Sequence, residues 1–302
     1  MITNNNYEVI IIGGSYAGLS AAMSLGRSLR KVLIIDSGLP CNRQTPHSHN
    51  FITHDGATPA VIAQKATEQV LAYDTVKLVT DLATSGKKVD EHFEINTQSG
   101  QTYTTQKLIF ATGIADQMSG IKGFAECWGI TVIHCPYCHG YEFKNEKTAI
   151  MANGERAMHL ASMVYNLSKD VTLVTNGPAN LNPEQLEKLQ KNGIDVIETE
   201  ITEVVHENGH VKELIFADDS QLPFTAVYAV LPFKQHSEIP AALGCELTEP
   251  GYIKVDNMQK TTVDGVFACG DNTSPLRAVA NAVYSGNFTG AVVNRELAEQ
   301  AF

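Results

Sequence analysis

Positive charge is scarce in this sequence. Its 22 Lys and Arg stand against 33 Asp and Glu, a formal net charge of −11. A nucleic-acid partner is not expected, because phosphate contacts need a basic surface. Long hydrophobic runs are missing too. No stretch approaches the roughly 18 apolar residues of a membrane-spanning helix. The opening MITNNNYEVIIIGG has no basic segment ahead of a long apolar run, so no secretory signal is expected. Cysteine is sparse: 6 residues in a chain of 302 do not make a disulfide framework. The expectation is a cytoplasmic, reducing compartment, where a close cysteine pair is catalytic or metal-binding rather than structural. Low-complexity segments and short-period repeats are absent.

Apolar material, by contrast, is plentiful. Hydrophobic residues make up 43% and charged ones 18%, enough to build sizeable cores, and the length suggests about two domains. The run 7-YEVIIIGG-14 ends in glycines. A helical pattern follows, with Leu19, Ala22, Met23 and Leu25 on one face, and then a second run, 32-VLIID-36. This β–turn–α–β unit is the building block of parallel sheets. It recurs as 147-KTAIMANG-154, 155-ERAMHLASMVYNLS-168 and 171-VTLVTNG-177. The segments 107-KLIFATG-113 and 264-DGVFACGD-271 each read as strand and glycine turn. Residues 183–193 form a helix bounded by Pro and Gly, and 194–231 read as short strands. A last helix is expected from Pro275 to about Glu299. The fold class is therefore α/β, with two nucleotide-binding-like bodies.

The first turn reads Gly13-x-Ser15-x-x-Gly18, with Asp36 ending the next strand. The dinucleotide fingerprint is G-x-G-x-x-G with an acid about 20 residues on. Gly13 permits the tight turn and Gly18 the close helix–strand packing. The helix N-terminus offers free N–H groups to a pyrophosphate, and Asp36 can accept from a ribose hydroxyl pair. Ser15 replaces the middle glycine; it is small and can donate to phosphate itself.

The stretch 134-HCPYCHGYE-142 carries two cysteines two residues apart, with histidines on both sides. From these letters alone, c-type haem attachment, half of a zinc site and a redox disulfide all remain open.

Several segments converge on one resemblance. The carriers are 9-VIIIGGSYAGLSAAMSLGR-27, 109-IFATG-113, the central C-x-x-C, and 263-VDGVFACGD-271 followed by 275-PLRAVANAVYSG-286. In order and spacing the chain resembles the low-molecular-weight thioredoxin-reductase family of flavoproteins, class II pyridine nucleotide-disulfide oxidoreductases, over nearly its whole length. The segments 43-RQTPHSHNFITHDG-56 and 135-CPYCHGYE-142 look closest to one subgroup. It holds dithiol oxidases of the gliotoxin-oxidase type and thioredoxin reductases without NADPH dependence. The resemblance implies two Rossmann-like FAD/NAD(P)-binding-type domains. An FAD domain, 1–116 with 243–302, is interrupted by a central domain, 117–242, that carries the C-x-x-C.

The implied FAD contacts follow by position. Gly13, Gly14, Ser15, Tyr16, Ala17 and Gly18 would hold the pyrophosphate, and Asp36 with Ser37 the adenosine ribose. Asn42, Arg43, Gln44, His49 and Asn50 would lie along the flavin. Ala111, Thr112 and Gly113 would form the second turn over the cofactor. Gly270 and Asp271 would meet the ribityl–phosphate chain. The helix starting near Arg277, Ala278 and Val279 would aim its N-terminus, about half a positive charge, at the flavin's N1/O2 edge.

The resemblance also decides the reading of the cysteine pair. Zinc needs four ligands, and no second pair follows at the usual distance. Haem disagrees with compartment and fold. With a flavin implied in the same chain, a redox disulfide is expected. Cys138 is implied to face the flavin and Cys135 the substrate sulfur, with His139 handling the thiol proton. Glu142 is read as local; His47, His49 and His54 cluster near the implied flavin segment, and His49 is the one expected near the flavin or dithiol. Cys41, Cys127, Cys245 and Cys269 are read as small buried residues, and no metal is expected.

The second turn departs from the family pattern. It reads Ala152-x-Gly154-x-x-Ala157, and the next strand ends in Thr175, Asn176 and Gly177. Neither the Arg or Lys that a 2′-phosphate wants nor the acid that NADH wants is present. A degraded nicotinamide site is expected, which leaves NADPH use doubtful. The expected function is an FAD-dependent disulfide/dithiol oxidoreductase, a homodimer acting on a thioredoxin-like protein or a small dithiol. Ferredoxin or O₂, the latter giving H₂O₂, would serve as electron partner. The alternative from another class is a non-catalytic flavoprotein redox sensor.

Overall fold

The computed structural model describes residues 5–302. Two parallel-stranded bodies make up the chain. In the first, the strand Asn6–Ile12 lies between Val32–Asp36 and Thr102–Phe110, parallel to both. Val9, Ile10, Ile11 and Ile12 are all buried. That is why this strand reads as a continuous apolar run rather than an alternating one. Val9 and Ile11 face the helices, while Ile10 and Ile12 face the opposite core with Phe93, Phe110 and Ile253.

Strand Thr102–Phe110 divides its other edge. Residues 102–105 pair antiparallel with His92–Thr97, and 108–110 pair parallel with Val266–Ala268. The end of the chain thus returns to the first sheet. The seven-stranded sheet is completed by Val76–Thr80 at one edge and Ala83–Val89 at the other.

The second body is a five-stranded parallel sheet. Its order is Asp195–Ile197, Val171–Val174, Thr148–Met151, Ala226–Ala229 and Val132–Ile133. A three-stranded antiparallel sheet, Ile201–Glu207, His210–Phe216 and Gln221–Pro223, packs beside it. Between the bodies, Ile114–Asp116 pairs antiparallel with Phe233–Gln235, so the outgoing and returning chains form one ribbon. Helix Pro183–Lys191 starts where expected, ends two residues before Gly193, and opens with a capping box between Asn182 and Gln185. No helix among the described residues is long and apolar enough to cross a membrane.

The last helix corrects the sequence expectation. It runs Val279–Ala301 and does not begin at Pro275. Residues 274–278 make tight turns instead, and the Arg277 side chain is tied to Asp116. This helix crosses the first helix, Tyr16–Arg27, at backbone contact. A Cβ on Gly286 would stand 2.0 Å from the Ala17 carbonyl oxygen, and one on Gly290 would stand 2.5 Å from that of Ala21. Ser20 Oγ donates to the Val283 carbonyl across the same crossing.

Gly286→Ala should therefore force the two helices apart and cost about 1–3 kcal/mol in chemical denaturation. Gly120→Ala, where no atom lies within 4 Å of the added carbon, should leave the midpoint unchanged.

Candidate active site

The first turn is built by close backbone approach. Gly13 has φ +104, and a Cβ there would meet the Ala111 carbonyl at 2.3 Å. A Cβ on Gly18 would strike the Gly13 carbonyl at 1.8 Å. The turn is thus pressed onto both the 111–113 segment and its own helix. Ser15 is the N-cap, yet its side chain makes no capping hydrogen bond. No acidic residue occupies the first turn of the helix. Asp36 accepts from the N–H of Gly14 and from that of Gly38, which holds its carboxylate beside the turn. Ser37 is exposed just beyond it.

The C-terminal segment closes the other side of this groove. Gly270 has φ +85, sits against Ala17, and donates to Ser285 Oγ. Asp271 receives no hydrogen bond among the described residues, and burial raises its pKa to about 6, with Arg277 opposing. Asn272 is fully buried; its amide donates to the Phe110 carbonyl at 2.9 Å, while its Oδ1 has no partner. Arg277 forks onto Asp116 with two bonds of 2.8 Å, and both side chains are largely buried. Ala278 is the extended N-cap of the last helix and offers no side-chain cap, so the N–H groups starting at Val279 are free.

The groove fits an adenine dinucleotide such as FAD. The glycines leave room that any Cβ would fill, one helix N-terminus carries no acid, and buried Asn272 Oδ1 and Asp271 lack protein partners.

The cysteine pair stands at the carboxyl end of strand Val132–Ile133, the end where ligands gather in parallel sheets. Cys135 is the N-cap of a four-residue helix, Pro136–His139. Its sulfur lies 2.6 Å from that of Cys138. Cys138 holds its proton and donates to Cys135, whose pKa falls; the N–H groups of Cys138 and Tyr137 add to the effect. Burial pushes His139 below its ordinary value, with Glu142 opposing, so it is neutral at pH 7 and able to accept a proton. Burial pushes His134 down to about 4, and its Nε2 has no partner.

A small cavity of about 70 Å³ joins the two bodies here. Cys41, Asn42, Gln44, Asp116 and Arg277 line it from one side, and Trp128, His134 and His139 from the other. Charges on Asp271 and Arg277 reach Cys138. Of the residues expected along the flavin, Asn42 and Gln44 line this cavity, while Arg43 and Asn50 are exposed. Arg43 folds back onto the Pro40 carbonyl, and the Asn50 N–H is held by Asp55. His49 bridges the bodies, 3.5 Å from Glu142 and ring to ring with His139. Glu142 is therefore not a local group. His47 and His54 bond locally. Cys41 corrects the expectation of a buried residue: it sits in the turn after Pro40, exposed at the cavity, whereas Cys127, Cys245 and Cys269 are buried. No cluster able to hold a metal ion occurs among the described residues.

The second turn is tied shut from within. Asn153 caps the Gly154–Leu167 helix, its Oδ1 accepting from the N–H of both Gly154 and Asn180, and its amide donates to the Pro178 carbonyl. Glu155 is bonded to Gln185, and Asn176 to the N–H of Ile201. The loop after strand Val171–Val174 is thus tethered to the start of that helix.

Sequence reasoning missed Asp116, Asn272, Ser285 and the position of Cys41. Only the "GD" preceding Asn272 gave any signal.

Asp271 yields a pH prediction. Its folded pKa lies above the unfolded value of 3.8, so its stabilising protonation is complete below about pH 4 and lost as pH rises through about 6. In FAD-free protein, Asp271→Asn should melt higher than the parent at pH 7. The gap should close at pH 4 in thermal denaturation.

A family model described as pyridine nucleotide-disulphide oxidoreductase matches residues 7–286. Thioredoxin reductase tcpT of Claviceps purpurea is 33% identical, over 98% of this chain and 96% of that protein. The thioredoxin reductase of Helicobacter pylori is 27% identical, over 87% and 90%. Among solved structures, an oxidoreductase from Agrobacterium tumefaciens superposes with a TM-score of 0.91 at 35% identity, covering 97% of this chain and 99% of that one. The chain belongs to the pyridine nucleotide-disulphide oxidoreductase family, among its thioredoxin-reductase-like flavin disulfide oxidoreductases.

Proposed function

We propose that this protein is an FAD-dependent oxidoreductase of disulfides or dithiols whose redox pair is Cys135–Cys138, and that it does not depend on NADPH. Its partner is a thioredoxin-like protein or a small dithiol. A cofactor body made from both chain ends would hold FAD through the Gly13–Gly18 turn, Asp36, Asp271 and the N-terminus of the last helix. FAD, when bound, supplies a carrier for two electrons.

The observation that carries this reading is the shared cavity. The two histidines that flank the C-x-x-C, His134 and His139, line it from one side, and Asn42, Asp116 and Arg277 from the other. In the reducing direction, the Cys135 thiolate attacks a substrate disulfide and releases one substrate thiolate. Cys138 then attacks the mixed disulfide, closing the Cys135–Cys138 bond and releasing the second. Neutral His139 takes the Cys138 proton and returns it to the leaving sulfur. In the oxidising direction the same bonds form and break in reverse. NADPH independence is supported by the closed Asn153–Asn180 loop and by the lack of a cation at residues 175–177.

Anaerobic titration of the bound flavin tests both parts. A dithiol should bleach it, and NADPH at micromolar concentration should not. Cys135→Ser and Cys138→Ser should each abolish bleaching by the dithiol while FAD content stays at the parent level. Bleaching by NADPH at catalytic rates would overturn the independence, and full dithiol bleaching in both variants would overturn the redox pair.

A further inference from the structure

Two polar groups beside the dithiol take no part in thiol exchange, Glu142 and His49. Glu142 stands three residues after His139, in the short turn Tyr141–Phe143 that continues the Pro136–His139 helix. Side chains three apart on such a turn share a face. His49 comes from the other body, on a loop closed upon itself. There the Ser48 N–H donates to the Ala57 carbonyl, the Gly56 N–H to the Ser48 carbonyl, and His47 Nδ1 to the Gly56 carbonyl. The chain just before it is pressed onto the second body: Gln44 donates to the Ala125 carbonyl, and Thr45 lies against Gly129.

His49 is thereby carried to the dithiol. Its Nε2 lies 3.5 Å from Glu142 Oε1, and its ring meets that of His139 edge to face, centroids 6.5 Å apart. On the outer side, its Nδ1 lies 3.6 Å from Asp55 Oδ1. Exposure rises along this series. His139 and His49 are half-buried, the Glu142 side chain is 37% exposed, and that of Asp55 is 69% exposed. The other ion pair at the site offers no such way out, because Asp116 and Arg277 satisfy one another and are largely buried.

Thiol exchange needs a route of this kind. Exchange with a substrate dithiol forms the substrate S–S bond and breaks that of Cys135–Cys138, moving two electrons from the substrate pair to the protein pair. Of the two substrate protons, Cys138 keeps one. Cys135 is left as the thiolate, so the second proton has to leave the site. We propose that His49 and Glu142 form the proton exit of the dithiol: the proton taken by His139 passes to this cross-body pair, and from Glu142 and Asp55 to solvent. This deepens the proposed function and rests on His139 being the proton carrier. A separation of 3.5 Å is closed by a small side-chain rotation or bridged by one water. For substrate disulfide reduction the same groups bring the proton in.

The test is bleaching of FAD-loaded Glu142→Gln and His49→Gln by dithiothreitol, followed anaerobically by stopped flow in weak buffer, with and without imidazole. Each variant should bleach about a hundredfold more slowly than the parent, the lower end of what a positioned proton-transfer group supplies. Imidazole is a diffusible proton carrier. It should restore most of the rate in both variants and leave the parent unchanged. FAD content and melting temperature should hold, since both side chains are polar and partly exposed. Bleaching at the parent rate in either variant would overturn the proposal. So would a slowed rate that imidazole does not lift, because that marks a contact that only holds the bodies together. Either failure leaves the redox pair standing, whereas full dithiol bleaching in both cysteine variants sinks the function itself.

Discussion

The bidentate pair between Asp116 and Arg277 is the interaction on which the site depends. Asp116 ends the strand where the chain leaves the first sheet, and Arg277 belongs to the segment that returns 161 residues later. Two bonds of 2.8 Å fix the returning segment beside the crossing ribbon. Both side chains are largely buried, and such a pair is costly to break because either partner alone leaves an uncompensated charge of about 3–5 kcal/mol. Held in this way, Arg277 is a fixed cation whose field reaches Cys41, His134, Asp271 and both sulfurs of the C-x-x-C. The ion pair also sets where the last helix can start, and so where its free N–H groups stand.

Glycine contacts do the corresponding work on the other side of the groove. Gly13 and Gly18 draw the first turn onto the Ala111 and Gly13 carbonyls, and Gly286 draws the last helix onto Ala17. A groove walled by backbone offers N–H groups at fixed positions without ordering any side chain. Opposite it, the second body presents neutral histidines and one sulfur favoured as thiolate. That combination suits thiol exchange, which needs a nucleophile and a proton carrier but little further charge. The second turn has the same strand–helix frame, and Asn153 ties its helix start to the 178–180 loop. That frame also carries the C-x-x-C, since strand Val132–Ile133 is an edge of the same sheet.

Much of the fold was legible because its signals are local. Apolar runs such as 9-VIII-12, the glycines after them and the Pro183–Gly193 helix all declare themselves within a few residues. The fingerprint with Asp36, the C-x-x-C and the weak second turn were legible for the same reason. What could not be read depends on pairs far apart in the chain. Nothing near Asp116 announces Arg277. Asn272 looks like a loop polar residue until the Phe110 carbonyl and the Thr112 hydroxyl are seen against it. Pro275 suggested a helix start by a sound rule, yet the tether on Arg277 keeps residues 274–278 in turns. Glu142 read as local because its partner, His49, lies on the other body.

The central claim is that the Cys135–Cys138 pair and the dinucleotide groove form one redox site across the boundary between the bodies. A crystal structure of the protein with FAD bound tests it most directly. The account predicts cofactor density running from Asp36 over the Gly13–Gly18 turn to Asp271, with the ring ending in van der Waals contact with Cys138. Density that leaves the ring far from both sulfurs, with no rotation of the bodies able to join them, would contradict it.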